Sequence, residues 1–77
     1  MNVEDKYYKL LDKVYQLSLA MDKLREARVH VEYSYDDVLL DGINLVIEDM
    51  DRSIKVYNSQ INLLQEEICG WNIKHSN

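Results

Sequence analysis

Stepping along the first half of the chain by alternating four and three residues meets Val3, Tyr7, Leu10, Val14, Leu17, Met21, Leu24, Arg28, Val31 and Tyr35, nine of the ten apolar or aromatic. In the second half the same stepping meets Leu40, Ile43, Ile47, Met50, Ile54, Tyr57, Ile61, Leu64, Ile68 and Trp71, all ten apolar or aromatic. A mean spacing of 3.5 residues is the seam of helices packed side by side. The two series are out of frame with each other. Continuing the first beyond Tyr35 calls for positions 38, 42 and 45, whereas the second runs through 40, 43 and 47. The chain must therefore break between them, and the pattern predicts an all-α fold, an antiparallel two-helix hairpin.

Two places compete for the break. In Val29–Tyr35 the apolar residues alternate with polar ones, which is strand-like, and β-branched residues weaken a helix there. Ser34 followed by Asp37 reads as a capping box that opens a second helix. The other candidate is the turn dipeptide Asp41-Gly42. The first is preferred, because Val38, Leu39 and Leu40 already read as helix and Asp36 and Asp37 suit a first turn. The reading is a single domain, 1–77, with a helix over 3–28, a connector over 29–35, a helix over 36–69 and a frayed tail over 72–77. Asn2 with Asp5 caps the first helix. Gly70 ends the second, and Trp71 folds over the end of the bundle.

Each helix carries apolar residues beyond its seam. On the first, Tyr8, Leu11, Tyr15 and Leu19 form a second stripe. On the second, Leu39 and Val46 widen the seam, with Val38, Leu45, Val56 and Leu63 further round. A lone hairpin covers one stripe per helix, so the surplus predicts self-association, most simply a homodimer in the form of a four-helix bundle.

Composition changes this picture in three ways. With 77 residues and no proline, the chain has room for one small domain and nothing to interrupt long helices. Cys69 is the only cysteine, which excludes an internal disulfide and suits a reducing compartment. The acidic, polar start and the absence of a long apolar run predict no leader peptide and no membrane span, hence a soluble cytoplasmic protein.

Charge is unevenly spread. Net charge is −5, and residues 29–51 hold seven acids (Glu32, Asp36, Asp37, Asp41, Glu48, Asp49, Asp51) with no Lys or Arg. This disfavours direct binding to nucleic acid or anionic lipid. The block reads first as a solvated helix face, with Asp36, Asp37 and Asp41 favoured at the positive end of the helix dipole. Its functional reading is a docking face for a protein with a basic surface, Asp36, Asp37, Asp41, Glu48, Asp49 and Asp51 steering the encounter.

Catalytic parts are missing. His30 and His75 stand far apart, so neither a metal centre nor a cofactor site is expected. Glu48, Asp49 and Asp51 are splayed by helical spacing and have no nucleophile or His beside them. Cys69 reads as a packing residue. Arg28, the one charge on the first seam, is expected to snorkel outward or to pair with Glu32. Six tyrosines without a phenylalanine stand out. Tyr7 and Tyr57 belong to the seams. Tyr8, Tyr15, Tyr33 and Tyr35 are interface candidates, because tyrosine joins apolar area to a polar tip, and the rim of a bundle is the alternative for them.

The expectation is a non-enzymatic protein–protein interaction module acting through Tyr8, Leu11, Tyr15, Leu19, Tyr33 and Tyr35 or through the acidic block. The alternative is a small acidic inhibitor whose carboxylate-rich face competes with nucleic acid for a basic groove. In size and charge the chain resembles small bacteriophage inhibitors of bacterial defence systems and small bacterial immunity proteins, with no residue to carry over.

Overall fold

The structure is a computed structural model that describes the backbone of residues 2–75 and the side chains of residues 2–70. Two helices, α1 (Val3–Tyr33) and α2 (Asp37–His75), pack against each other as an antiparallel hairpin. Neither is long and apolar enough to cross a membrane.

The seams close as their spacing predicts. Met21 (4% exposed), Ile47 and Ile61 are buried, and every other seam residue from Val3 to Val31 and from Leu40 to Ile68 is half-buried. Outside the seams only Ser18, Ala20, Asn44, Asp51 and Gly70 share that half-buried state among the described side chains. The core is thus a single line of interlocked side chains. Tyr35 departs from the expectation: it lies in the connector, 87% exposed, so the first seam ends at Val31. The side chain of Trp71 lies outside those described.

Helix α1 begins as read. The Oδ1 of Asn2 accepts the amide of Asp5 at 2.8 Å, which satisfies one of the free donors of the first turn. Its other end corrects the reading. The expected stop at residue 28 is absent, and the helix continues to Tyr33. Val31 still faces α2, and burying it against the partner helix outweighs the modest helix penalty of β-branched residues. The expected connector 29–35 shrinks to residues 34–36.

Ser34 does not open α2. It sits at the C-cap of α1, where its amide donates to the carbonyls of His30 and Val31 at 3.1 Å and its Oγ donates to Val31 O at 2.6 Å. Tyr35 follows with φ 59°, the left-handed conformation that ends helices, and its amide donates to Glu32 O at 3.2 Å. Asp36 is the cap of α2, its Oδ1 accepting the amide of Leu39 at 3.0 Å. Three residues thus reverse the chain, each with a distinct backbone role.

Neither glycine breaks α2. Asp41-Gly42 lies inside the helix, and Gly70, expected to end it, is followed by helix to His75. A glycine costs a helix about 1 kcal/mol relative to alanine, too little to stop one that has no proline beyond it. Of the expected frayed tail, residues 72–75 are helical, and 76–77 lie outside the described residues. Arg28, expected to snorkel outward or to pair with Glu32, instead donates from Nη1 across the seam to Asn44 Oδ1 at 3.4 Å.

The product is a rod of 63 × 19 × 15 Å with a radius of gyration of 17.8 Å. A compact chain of this length has a radius of gyration of about 11.5 Å.

Candidate functional site

The two surplus stripes lie on opposite sides of this rod. On α1, Tyr8, Leu11 and Tyr15 each follow a seam residue by one position. On α2, Leu39, Val46, Val56 and Leu63 each precede one. One residue is a step of about 100° around a helix. In an antiparallel pair, stepping forward on both helices reaches the same side, so forward on α1 and backward on α2 reach opposite sides.

The recesses at the open end of the rod agree. Tyr8 shares one with Glu4, Tyr7, Gln65, Ile68 and Cys69. Leu63 shares another, of about 460 Å³, with Lys6, Lys9, Leu10, Gln60 and Leu64. The sequence reading did not single out this second face for binding. The signal was the one-residue lead of each apolar position over the seam.

On the α1 side, Tyr8 and Tyr15 are 64% and 60% exposed and Leu11 and Leu19 are at the edge of exposure. The rings of Tyr7 and Tyr8 meet edge to face with centroids 5.4 Å apart, which joins this stripe to the seam. Lys13, on the other flank of α1, places its Nζ 4.3 Å above the ring of Tyr57. That cation–π contact shields the seam from the α2 side.

The structure does not bring all the candidate tyrosines together. Tyr33 and Tyr35 are exposed at the loop end, whereas Tyr8 lies near the open end, about 37 Å away along α1 at 1.5 Å per residue. They are two separate patches.

The acidic candidates spread along the loop half of α2. Asp36 and Asp37 stand at its start, and Asp41, Glu48, Asp49 and Asp51 follow over about 22 Å of helix. The expected splay holds only in part: Glu48 and Asp51, three residues apart and each one position after a seam residue, share a face, and Asp49 lies on the opposite side. Asp49 pairs with Arg52, and Asp51 Oδ2 accepts Lys55 Nζ at 3.0 Å. These ion pairs are exposed and contribute little to stability, yet they lower the net charge of that part of the block. Asp36, Asp37 and Asp41 at the loop end have no salt-bridge partner among the described residues.

Among the described residues no three His, Cys, Asp or Glu side chains converge as a metal site would need. No protein-family model matches this chain, nor does any curated protein or solved structure.

Proposed function

We propose that the chain is a non-enzymatic protein–protein interaction module of the cytoplasm, a hairpin that self-associates and works by binding or occluding a macromolecular partner. The observation that carries this reading is apolar surface left over after the seam is closed. Tyr8, Leu11, Tyr15 and Leu19 stay exposed although every seam position beside them is buried or half-buried.

The area supports it. The chain exposes 6134 Å², whereas a folded monomer of 9.2 kDa exposes about 4,900 Å² by the scaling of surface with mass. The excess of about 1,200 Å² is larger than the roughly 800 Å² each partner contributes to a standard interface.

Light scattering on the purified chain tests the first half of the proposal, with a mass of two copies expected. Affinity capture compared between wild type and the Tyr8→Ala and Leu11→Ala variants tests the second. Loss of the captured partner with helicity retained supports the stripe as the binding surface, and unchanged capture removes it. A second reading, an acidic inhibitor that displaces nucleic acid from a basic groove, is favoured by the loop-end carboxylates, which have no salt-bridge partner among the described residues. It predicts binding that weakens steeply with salt and with Asp36→Asn, Asp37→Asn or Asp41→Asn.

A further inference from the structure

Each side of the rod has an apolar half and a charged half. The front, which bears Tyr8, Leu11 and Tyr15 on α1, carries Asp37, Asp41, Glu48 and Asp51 on α2, with Lys55 the one base in that row. The back, which bears Leu39, Val46, Val56 and Leu63 on α2, carries Lys6, Lys9, Lys13 and Lys23 on α1, with no acid in that row. The net charge of −5 thus conceals a basic row. We infer that copies of the chain stack front to back and antiparallel, each laying its lysine row over the acidic row of the next. The inference rests on the self-association just proposed and names its surfaces and geometry.

The match of the halves is the first argument. Stacked front on front or back on back, two rods set either like charge on like charge or an apolar row on a charged one. Stacked front on back with the rods parallel, they place α1 over α1, so the tyrosines meet lysines and the acids meet leucine and valine. Turning one rod end for end places α1 of each copy over α2 of the other. Apolar then meets apolar, and lysine meets carboxylate. This arrangement alone avoids both a charge buried against apolar surface and a contact between like charges.

Register is the second argument. Tyr8, Leu11 and Tyr15 have the same spacing as Leu39, Gly42 and Val46, and in this arrangement the two helices run in the same sense. One slide of the rods therefore seats each on its counterpart, with Leu11 over a glycine. The same slide sets Lys6 against Asp37 and Lys9 against Asp41. None of these four has a salt-bridge partner among the described residues of the single hairpin. Lys23 meets Lys55, whose charge Asp51 already balances at 3.0 Å.

Area is the third argument. At this register the contact runs the length of α1, about 46 Å at 1.5 Å per residue. Across a rod 19 Å wide the footprint is about 870 Å², against roughly 800 Å² from each partner in a standard interface. Front and back are different surfaces, so every added copy leaves one of each free, and the stack is open-ended.

Light scattering on wild type and on two blocked variants tests this. Wild type should reach two copies and continue to grow with concentration. Tyr8→Glu closes the front and Leu39→Glu closes the back. The two side chains are 64% and 59% exposed, so both variants should keep their helicity by circular dichroism. Tyr15→Glu and Val46→Glu take their places if either does not. Each variant alone should remain a single copy, and an equal mixture should form a pair with one of each and grow no further. A symmetric dimer would leave one variant dimeric by itself and gain nothing on mixing, which overturns the inference. A wild-type mass fixed at two copies also overturns it while leaving self-association intact. A single-copy mass at every concentration overturns both.

Charge reversal checks the register. In the mixed pair the Tyr8→Glu variant presents its back, so adding Lys9→Glu to it should weaken the pair at least about fivefold. Adding Asp41→Lys to the other variant should restore it. No weakening, or weakening without restoration, overturns the pairing of the rows.

Discussion

Tyr35 is the position at which sequence and backbone conformation disagree most, and replacing it with glycine tests the account of the turn. Its φ of 59° holds an L-residue in the left-handed region, at a cost of roughly 1–2 kcal/mol. Glycine removes that cost but brings a more flexible unfolded chain, a loss of roughly 0.5–1 kcal/mol. With 87% of the residue exposed there is almost no packing to lose. Tyr35→Gly should therefore stabilise the hairpin by about 0.5–1 kcal/mol. For a chain of this size that raises the melting temperature by about 3–6 °C. The assay is a thermal melt followed by far-ultraviolet circular dichroism, at matched concentrations so that association does not intervene. Ser34→Gly is the control: Ser34 has φ −80° in the right-handed region, where glycine relieves no strain, adds its entropy and loses the Oγ bond to Val31 O, and it should melt lower. A Tyr35→Gly variant that melts at or below wild type refutes the strain argument. A variant that gains stability but loses a binding partner would show that the strained tyrosine is kept for its exposed ring.

The other predictions concern the helices. Ile47→Ala, at a buried seam position, should destabilise by about 2–4 kcal/mol in a urea titration, with little change in slope. Asp36→Ala removes the cap at the start of α2 and should cost about 1 kcal/mol in the same titration. Gly42→Ala meets nothing within 4 Å inside α2 and should raise stability by about 1 kcal/mol, visible as a higher melting temperature; a decrease would mean that Gly42 is needed for close approach of another chain.

The seams were legible because one physical requirement dominates them: a side chain either faces the other helix or faces water. Spacing alone places Met21, Ile47 and Ile61 on the interior line, and they are the buried residues among the described side chains. The turn was harder to read, because local propensity and tertiary contact conflict there. Val29 and Val31 argue against helix locally, and the contact of Val31 with α2 overrides them. Ser34 and Asp36 are both good caps, and residue type alone does not say that one ends α1 while the other begins α2. Gly70 misled in the same way, since a glycine is a stop only where the chain has a reason to leave the helix. As for the candidate surface, the α1 stripe was legible as exposed apolar residues. The opposite placement of Leu39, Val46, Val56 and Leu63 lies in their one-residue lead over the seam, and it emerges only when positions are converted to angles around an antiparallel pair.

The core one side chain thick has a consequence for length. Each heptad of α1 meets one heptad of α2, and no layer beyond it reaches across the rod. A slice of seven residues inserted in or removed from both arms at the same level would therefore keep the register of everything else, altering the reach of the molecule by about 10 Å while its turn and ends stay as they are. The hairpin is in this sense a ruler with a fixed gradation, and the separation between its loop end and its open end can change in whole divisions without redesign of either.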